Sequence, residues 1–334
     1  MDKRRVGQFE VSAIGLGCMS LSHAYGSPPP REQAREVLLG ALEAGYTFFD
    51  TAAVYGVGHN EQLVGEVLSP HRDKFVLASK CGMTVNGQRE LSGRPEHLKA
   101  TCEESLRHLK TDVIDLYYLH RWDKRVPIEE SVGALAELVA EGKIRSIGLS
   151  EVSAATLRKA HATHPIAALQ TEYSPWTRNP EIAVLDACRE LGVAFVAFSP
   201  VGRGFLAGGV KDPSQLEPGD FRLGMPRFQG ENLAANLKLL ERFEALAREA
   251  GCTPAQLCLA WLLQKDPIIV PIPGTTSPAH MREDAAAAEV RLSADIVARL
   301  EELVNDRTVA GSRYAPAMQA SVDTERTEAE LTPA

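Results

Sequence analysis

Residues 113–150 read "VIDLYYLHRWDKRVPIEESVGALAELVAEGKIRSIGLS". An apolar run of strand length, VIDLYYLH, gives way to a charged turn. The segment SVGALAELVAEGK then places apolar residues at the i, i+3, i+4, i+7 spacing of one helical face and closes on glycine, as a helix C-terminus prefers. A second apolar run, IRSIGLS, follows at once. Strand, helix and strand in this order make a parallel pair joined by a right-handed crossover.

The same unit recurs on both sides. Apolar runs end at AIGLGCM, YTFFD, KFVLASK, VIDLYYLH, IRSIGLS, IAALQ, VAFVAFSP and PIIVPIP, with helical patterns between most of them. Eight such strands predict closure into a (β/α)8 barrel rather than an open sheet. The 334 residues suit one barrel with insertions, and no second boundary is visible, so 1–334 is read as a single domain. Ahead of the units, RVGQFEVSAIG predicts a hairpin that caps the bottom of the barrel. The stretch VKDPSQLEPGDFRLGMPRFQGEN predicts a long loop on the C-terminal face, packed through Phe221 and Phe228. Beyond residue 305 the chain turns polar, and 318–334 is expected to be a disordered tail.

Apolar residues make up 44% of the chain, enough for a sizeable core, and the formal net charge is −8. That balance argues against nucleic acid or an anionic membrane as partner. No run approaches the ~18 apolar residues of a membrane span, and none of signal-peptide length follows the basic start. A soluble, cytoplasmic protein is expected. The six cysteines are scattered with no CxxC pair, as reduced thiols in or near a core are. His161 and His164 have no third ligand at a fitting spacing, so no metal site is expected.

In a parallel barrel every strand's C-terminal end points to one face, where chemistry is assembled. Successive strand ends here deliver Asp50, Lys80, His120, Ser150 with Glu151, Gln170, and Phe198 with Ser199; Tyr55 follows Asp50 in the loop. A free phenol, with a pKa near 10, is a poor acid at neutral pH. A cation ~4 Å away, at an effective dielectric near 20, contributes about 4 kcal/mol, or roughly three pKa units. Lys80 is thus expected to tune Tyr55 for proton exchange near neutral pH, with Asp50 keeping the lysine charged and His120 orienting a substrate oxygen.

FFDTAAVYG, VLASKCG, DLYYLHRWD, IGLSE, LQTEYSPW, FSPVGRGFLAG, FRLGMPRFQGEN and PIPGT stand in the order seen in aldo-keto reductases, and over nearly its whole length the chain resembles the bacterial and plant branch with a long PRFQGEN loop. That resemblance implies a nicotinamide cofactor and reduction of a small carbonyl substrate, an aldehyde or ketone. It assigns the catalytic tetrad to Asp50, Tyr55, Lys80 and His120, with Tyr55 as general acid. It implies cofactor contacts at Ser150 and Gln170 for the nicotinamide amide, Phe198 for the ring face, and Ser199, Gly202, Arg203 and Gly204 for the pyrophosphate. The segment after the last strand supplies Gly274, Thr275, Thr276, His280, Arg282 and Asp284 around the adenosine end.

This sequence departs from the family in places. Glu151 replaces the usual Asn, Phe198 the usual Tyr, and Asp284 a common Asn. His280 stands where many relatives have Arg, leaving Arg282 as the nearest cation for a 2′-phosphate, an anion that favours Arg or Lys. NADPH is expected, with NADH also possible. The alternative is a non-catalytic NADP(H)-binding regulatory or sensor module on the same barrel; the intact tetrad favours an enzyme. Oligomeric state and substrate identity are not legible.

Overall fold

In the computed structural model of the chain, residues 1–22, 24–86 and 88–331 are described. Eight strands form the central sheet: β1 (Leu16–Gly17), β2 (Phe48–Asp50), β3 (Val76–Cys81), β4 (Ile114–Leu119), β5 (Ile144–Ser150), β6 (Ile166–Glu172), β7 (Ala194–Phe198) and β8 (Ile269–Ile272). Each pairs in parallel with its neighbours in this order. The ring is closed between its ends by Gly15 N donating to Pro271 O at 2.9 Å and Gly17 N to Pro273 O at 3.0 Å. Glycine is needed there, because a Cβ on Gly17 would lie 2.9 Å from Ile272 O.

The strands are apolar on both faces because both faces are covered. Along β4, Tyr117 and Leu119 pack outward with the helices, while Leu116 and Tyr118 fill the barrel with Phe48, Ala78, Ala168 and Val196. Tyr118 fits because β5 offers Gly148, where a Cβ would sit 2.3 Å from its ring. The helix Ile128–Ala140 turns Ile128, Val132, Leu135 and Leu138 inward at helical spacing. It crosses from β4 to β5, the unit read in residues 113–150.

At the N-terminal end the antiparallel hairpin Lys3–Val6 with Phe9–Ser12 sends Val6, Val11 and Phe9 into the barrel's inner layer. It thereby plugs the bottom and leaves the opposite face open. On that open face the long loop is packed: Phe228 is buried against Trp176 and Phe205, and Phe221 N donates to Ala24 O at 3.0 Å.

The C-terminal segment differs from expectation. Residues 318–331 lie against the barrel, while 332–334 fall outside the described residues. Val322 is buried, and Asp323 accepts from Thr156 Oγ1 at 2.7 Å and Ser153 Oγ at 3.0 Å. Glu325 accepts from Ala154 N at 2.7 Å. These carboxylates sit at the start of the helix Ala154–Thr163, whose unpaired N–H groups and dipole attract negative charge. A tail held largely by polar contacts, with few apolar anchors such as Val322, carries too weak an apolar pattern to stand out, so composition alone reads it as unattached.

Candidate active site

The open face holds a cavity of about 630 Å³, lined by Asp50, Tyr55, His120 and Gln170 among others. Register brings the strand ends together: Asp50 lies opposite Ala78, and Lys80 opposite Tyr118. Tyr55 is returned toward the strands by a tight turn in which Gly56, Val57 and Gly58 all have positive φ. Asn60 braces this turn, accepting from Thr51 Oγ1 at 2.6 Å and donating to Cys18 O and Ser22 Oγ, each at 2.8 Å.

Lys80 is buried, and its Nζ has three partners: a carboxylate oxygen of Asp50, Thr51 O at 2.8 Å and the Tyr55 hydroxyl at 3.2 Å. Three acceptors match the three protons of an ammonium. Burial works against that charge, yet Asp50 and the phenol more than offset it, so the lysine is held above its ordinary value. The rings of Tyr55 and His120 meet edge to face at 5.7 Å.

The phenol behaves differently from the sequence expectation. Withdrawal from water raises the Tyr55 pKa most, Lys80 lowers it, Asp50 raises it again, and the net direction is upward. Tuning toward neutral pH is therefore corrected: desolvation outweighs one neighbouring cation that is itself largely neutralised by Asp50. Tyr55 stays protonated, and the ammonium beside it is placed to stabilise negative charge that appears when the proton leaves.

The other anticipated residues divide into two groups. Gln170, Phe198, Ser199, Arg203, Gly204, Gly274, Thr275 and Thr276 line the cavity. Ser150 is buried behind it, its Oγ accepting from Arg121 Nη1 at 3.0 Å. Gly202 packs on Trp176 instead of facing the cavity. On the helix Pro278–Ala286, His280 and Arg282 point to solvent outside the cavity, whereas Asp284 is buried under the helix. Met281 and Asp284, three apart, share the inward face, which removes Asp284 from any ligand-facing surface.

Arg203 is also differently engaged from what its loop position suggests. Its guanidinium is buried against the Glu172 carboxylate and reaches Tyr314 OH at 3.1 Å. Glu172 is shared with Arg313 at 3.3 Å, and Arg313 pairs in turn with Glu151. The unusual Glu151 thus anchors the C-terminal segment. Burial pushes Glu172 up, but Arg203, Arg313 and Arg227 together hold it below the ordinary carboxylate range.

Sequence reasoning missed several wall residues: Arg121, Met83, Arg222, Tyr314, Met318 and Val322. Arg121 had a signal, since it directly follows a strand end. The tail residues had none, because nothing local shows where a polar segment docks. Among the described residues, no group of three or more His, Cys, Asp or Glu side chains is arranged to hold a metal ion. No helix among them is long and apolar enough to cross a membrane.

A parallel eight-stranded barrel with a lysine–phenol pair at its C-terminal mouth is an architecture of carbonyl oxidoreductases. The sequence profile of the Aldo/keto reductase family matches residues 13–305, and the chain belongs to that family. It is 46% identical over 310 residues to the Glycine max protein named "Probable aldo-keto reductase 1", covering 92% of this chain and 89% of the other. Among solved structures it is similar to a glycerol dehydrogenase from Gluconobacter oxydans (TM-score 0.83, 26% identity, 94% and 98% of the two chains). A holo-form aldo-keto reductase from Bacillus halodurans gives a TM-score of 0.75 at 28% identity, over 94% and 98%. The protein is an oxidoreductase of the NAD(P)H-dependent, carbonyl-reducing kind.

Proposed function

We propose that the chain reduces aldehydes or ketones to alcohols, with Tyr55 as the general acid. The observation that carries this is the 3.2 Å contact between Lys80 Nζ and the Tyr55 hydroxyl in a cavity shared with His120. A bound reduced nicotinamide supplies the hydride. The chain's own groups do the rest. Tyr55 donates its proton to the carbonyl oxygen as charge develops there, Lys80 stabilises the phenolate left behind, and His120 orients the substrate oxygen. Asp50 keeps Lys80 charged.

The residues on this face fit a dinucleotide. Phe198 supplies an aromatic side chain to the cavity wall. Ser199, Arg203 and Gly204 line it with positive φ, a backbone course that can turn N–H groups toward an anion. Gly274 lets backbone approach where a Cβ would meet Gly17 O at 2.8 Å. Thr275 and Thr276 are the lining groups available to a 2′-phosphate, and Arg282, the nearest cation in sequence, lies at the helix surface outside the cavity. We infer use of NADPH with at most a modest preference over NADH, and a cytoplasmic setting in keeping with six free thiols.

The test is a screen of NADPH and NADH oxidation against a panel of aldehydes and ketones, with Tyr55→Phe beside the native chain. The variant is expected to bind cofactor and lose at least about a hundredfold in reduction. Near-native turnover by Tyr55→Phe would remove it from the role.

A further inference from the structure

Arg121 follows His120 at the end of β4 and is half-buried in the cavity wall. One of its nitrogens is engaged: Nη1 donates to His120 O at 2.6 Å and to Ser150 Oγ at 3.0 Å. These bonds fix the guanidinium. Its other edge, formed by Nε and Nη2, meets no hydrogen-bond acceptor among the described residues. That edge presents two parallel N–H groups, the geometry that matches a carboxylate.

The other arginines of this wall are neutralised. Arg203 is paired with Glu172, and Arg222 with Asp220 at 2.7 Å. Arg121 has no carboxylate partner among the described residues. Its charge is nonetheless felt at the reaction centre, where it is one of the groups acting to lower the Tyr55 pKa. A cation withdrawn partway from water with no anion beside it is costly, and a ligand that supplies the anion recovers that cost.

We propose that Arg121 is a specificity-determining residue and that the preferred substrates are oxo acids. The carboxylate accepts from Nε and Nη2 of Arg121 while the aldehyde or keto oxygen lies at Tyr55. The proposal rests on the reductase reading above and deepens it by naming the substrate class.

The test compares three acids with their methyl esters: glyoxylate, succinate semialdehyde and 4-carboxybenzaldehyde. The kcat/KM ratio of acid to ester is measured with NADPH for the native chain, Arg121→Gln and Arg121→Lys. The native ratio is expected to exceed about tenfold in at least one pair and to fall as salt rises. Arg121→Gln should reduce that ratio about ten- to a hundredfold, and Arg121→Lys should retain part of it. Any general effect of the lost charge on Tyr55 cancels in the ratio, and thermal melting verifies that both variants fold.

A native ratio near or below one in all three pairs would overturn the proposal. So would a ratio untouched by Arg121→Gln, including the case in which only cofactor affinity falls. Calorimetric binding of 4-carboxybenzaldehyde and its ester separates the two claims. Carboxylate binding that depends on Arg121, without turnover of any carbonyl, would support the subsite and sink the reductase reading; turnover without acid preference would do the reverse.

Discussion

Gln170 donates its side-chain amide to Asp50 Oδ2 at 2.7 Å, the carboxylate oxygen that Lys80 leaves open. The carboxylate is buried, and these two donors satisfy both of its oxygens. A residue assigned by resemblance to the cofactor therefore also braces the pair that serves Tyr55.

Gln170→Leu should lower stability even without cofactor. It leaves a buried charged acceptor short of one donor, a loss of about 1.5–3 kcal/mol. Thermal melting of the ligand-free chain should show a drop of several degrees. No change would mean that Gln170 serves only a ligand.

With Tyr55 as the proposed general acid, its raised pKa sets the expected pH behaviour of the reductive direction. A general acid must carry its proton, and the phenol here keeps it beyond the ordinary value of about 10. Reduction kcat should be flat from about pH 6 to about pH 9, while alcohol oxidation, which needs the phenolate, should climb with pH. Full pH profiles in both directions check this. A reductive downturn near pH 7 would contradict it.

Asp284 predicts a stability slope. Its carboxyl is pushed up to about 8 by burial, with Glu283 adding to the shift, and it lies close enough to act on Tyr46 and Cys258. An unfolded carboxyl titrates near 4, so across the interval between the folded chain holds a proton that the unfolded chain has lost. This contribution is complete below about pH 4 and is lost toward pH 8, by at most about 1.4 kcal/mol per pH unit. Asp284→Asn should melt higher than native at pH 8 and show a shallower pH dependence. Parallel curves for the two proteins would refute the assignment.

The docked tail predicts a measurable cap. Asp323→Ala removes the acceptor for Ser153 and Thr156 at the start of the helix Ala154–Thr163. The loss should be about 0.5–2 kcal/mol, as for other N-terminal caps, with faster proteolysis beyond residue 320. Unchanged melting and unchanged cleavage would return the tail to the frayed state expected from composition.

What the sequence determined was whatever depends on order and periodicity. Eight apolar runs separated by helical patterns require a parallel ring, because strands buried on both faces need helices outside and each other within. That ring then forces Asp50, Lys80 and His120 to one end, since each terminates a strand that points the same way. Tertiary structure alone decided the rest, because the rest depends on which groups meet and how much water remains between them. Only the fold shows that Gln170 reaches Asp50, that Glu151 holds Arg313, that Asp284 faces inward, and that Asp323 finds a helix start. The direction of the Tyr55 shift belongs here too: the cation can be read from the chain, but the desolvation that outweighs it exists only once the barrel has closed around the phenol.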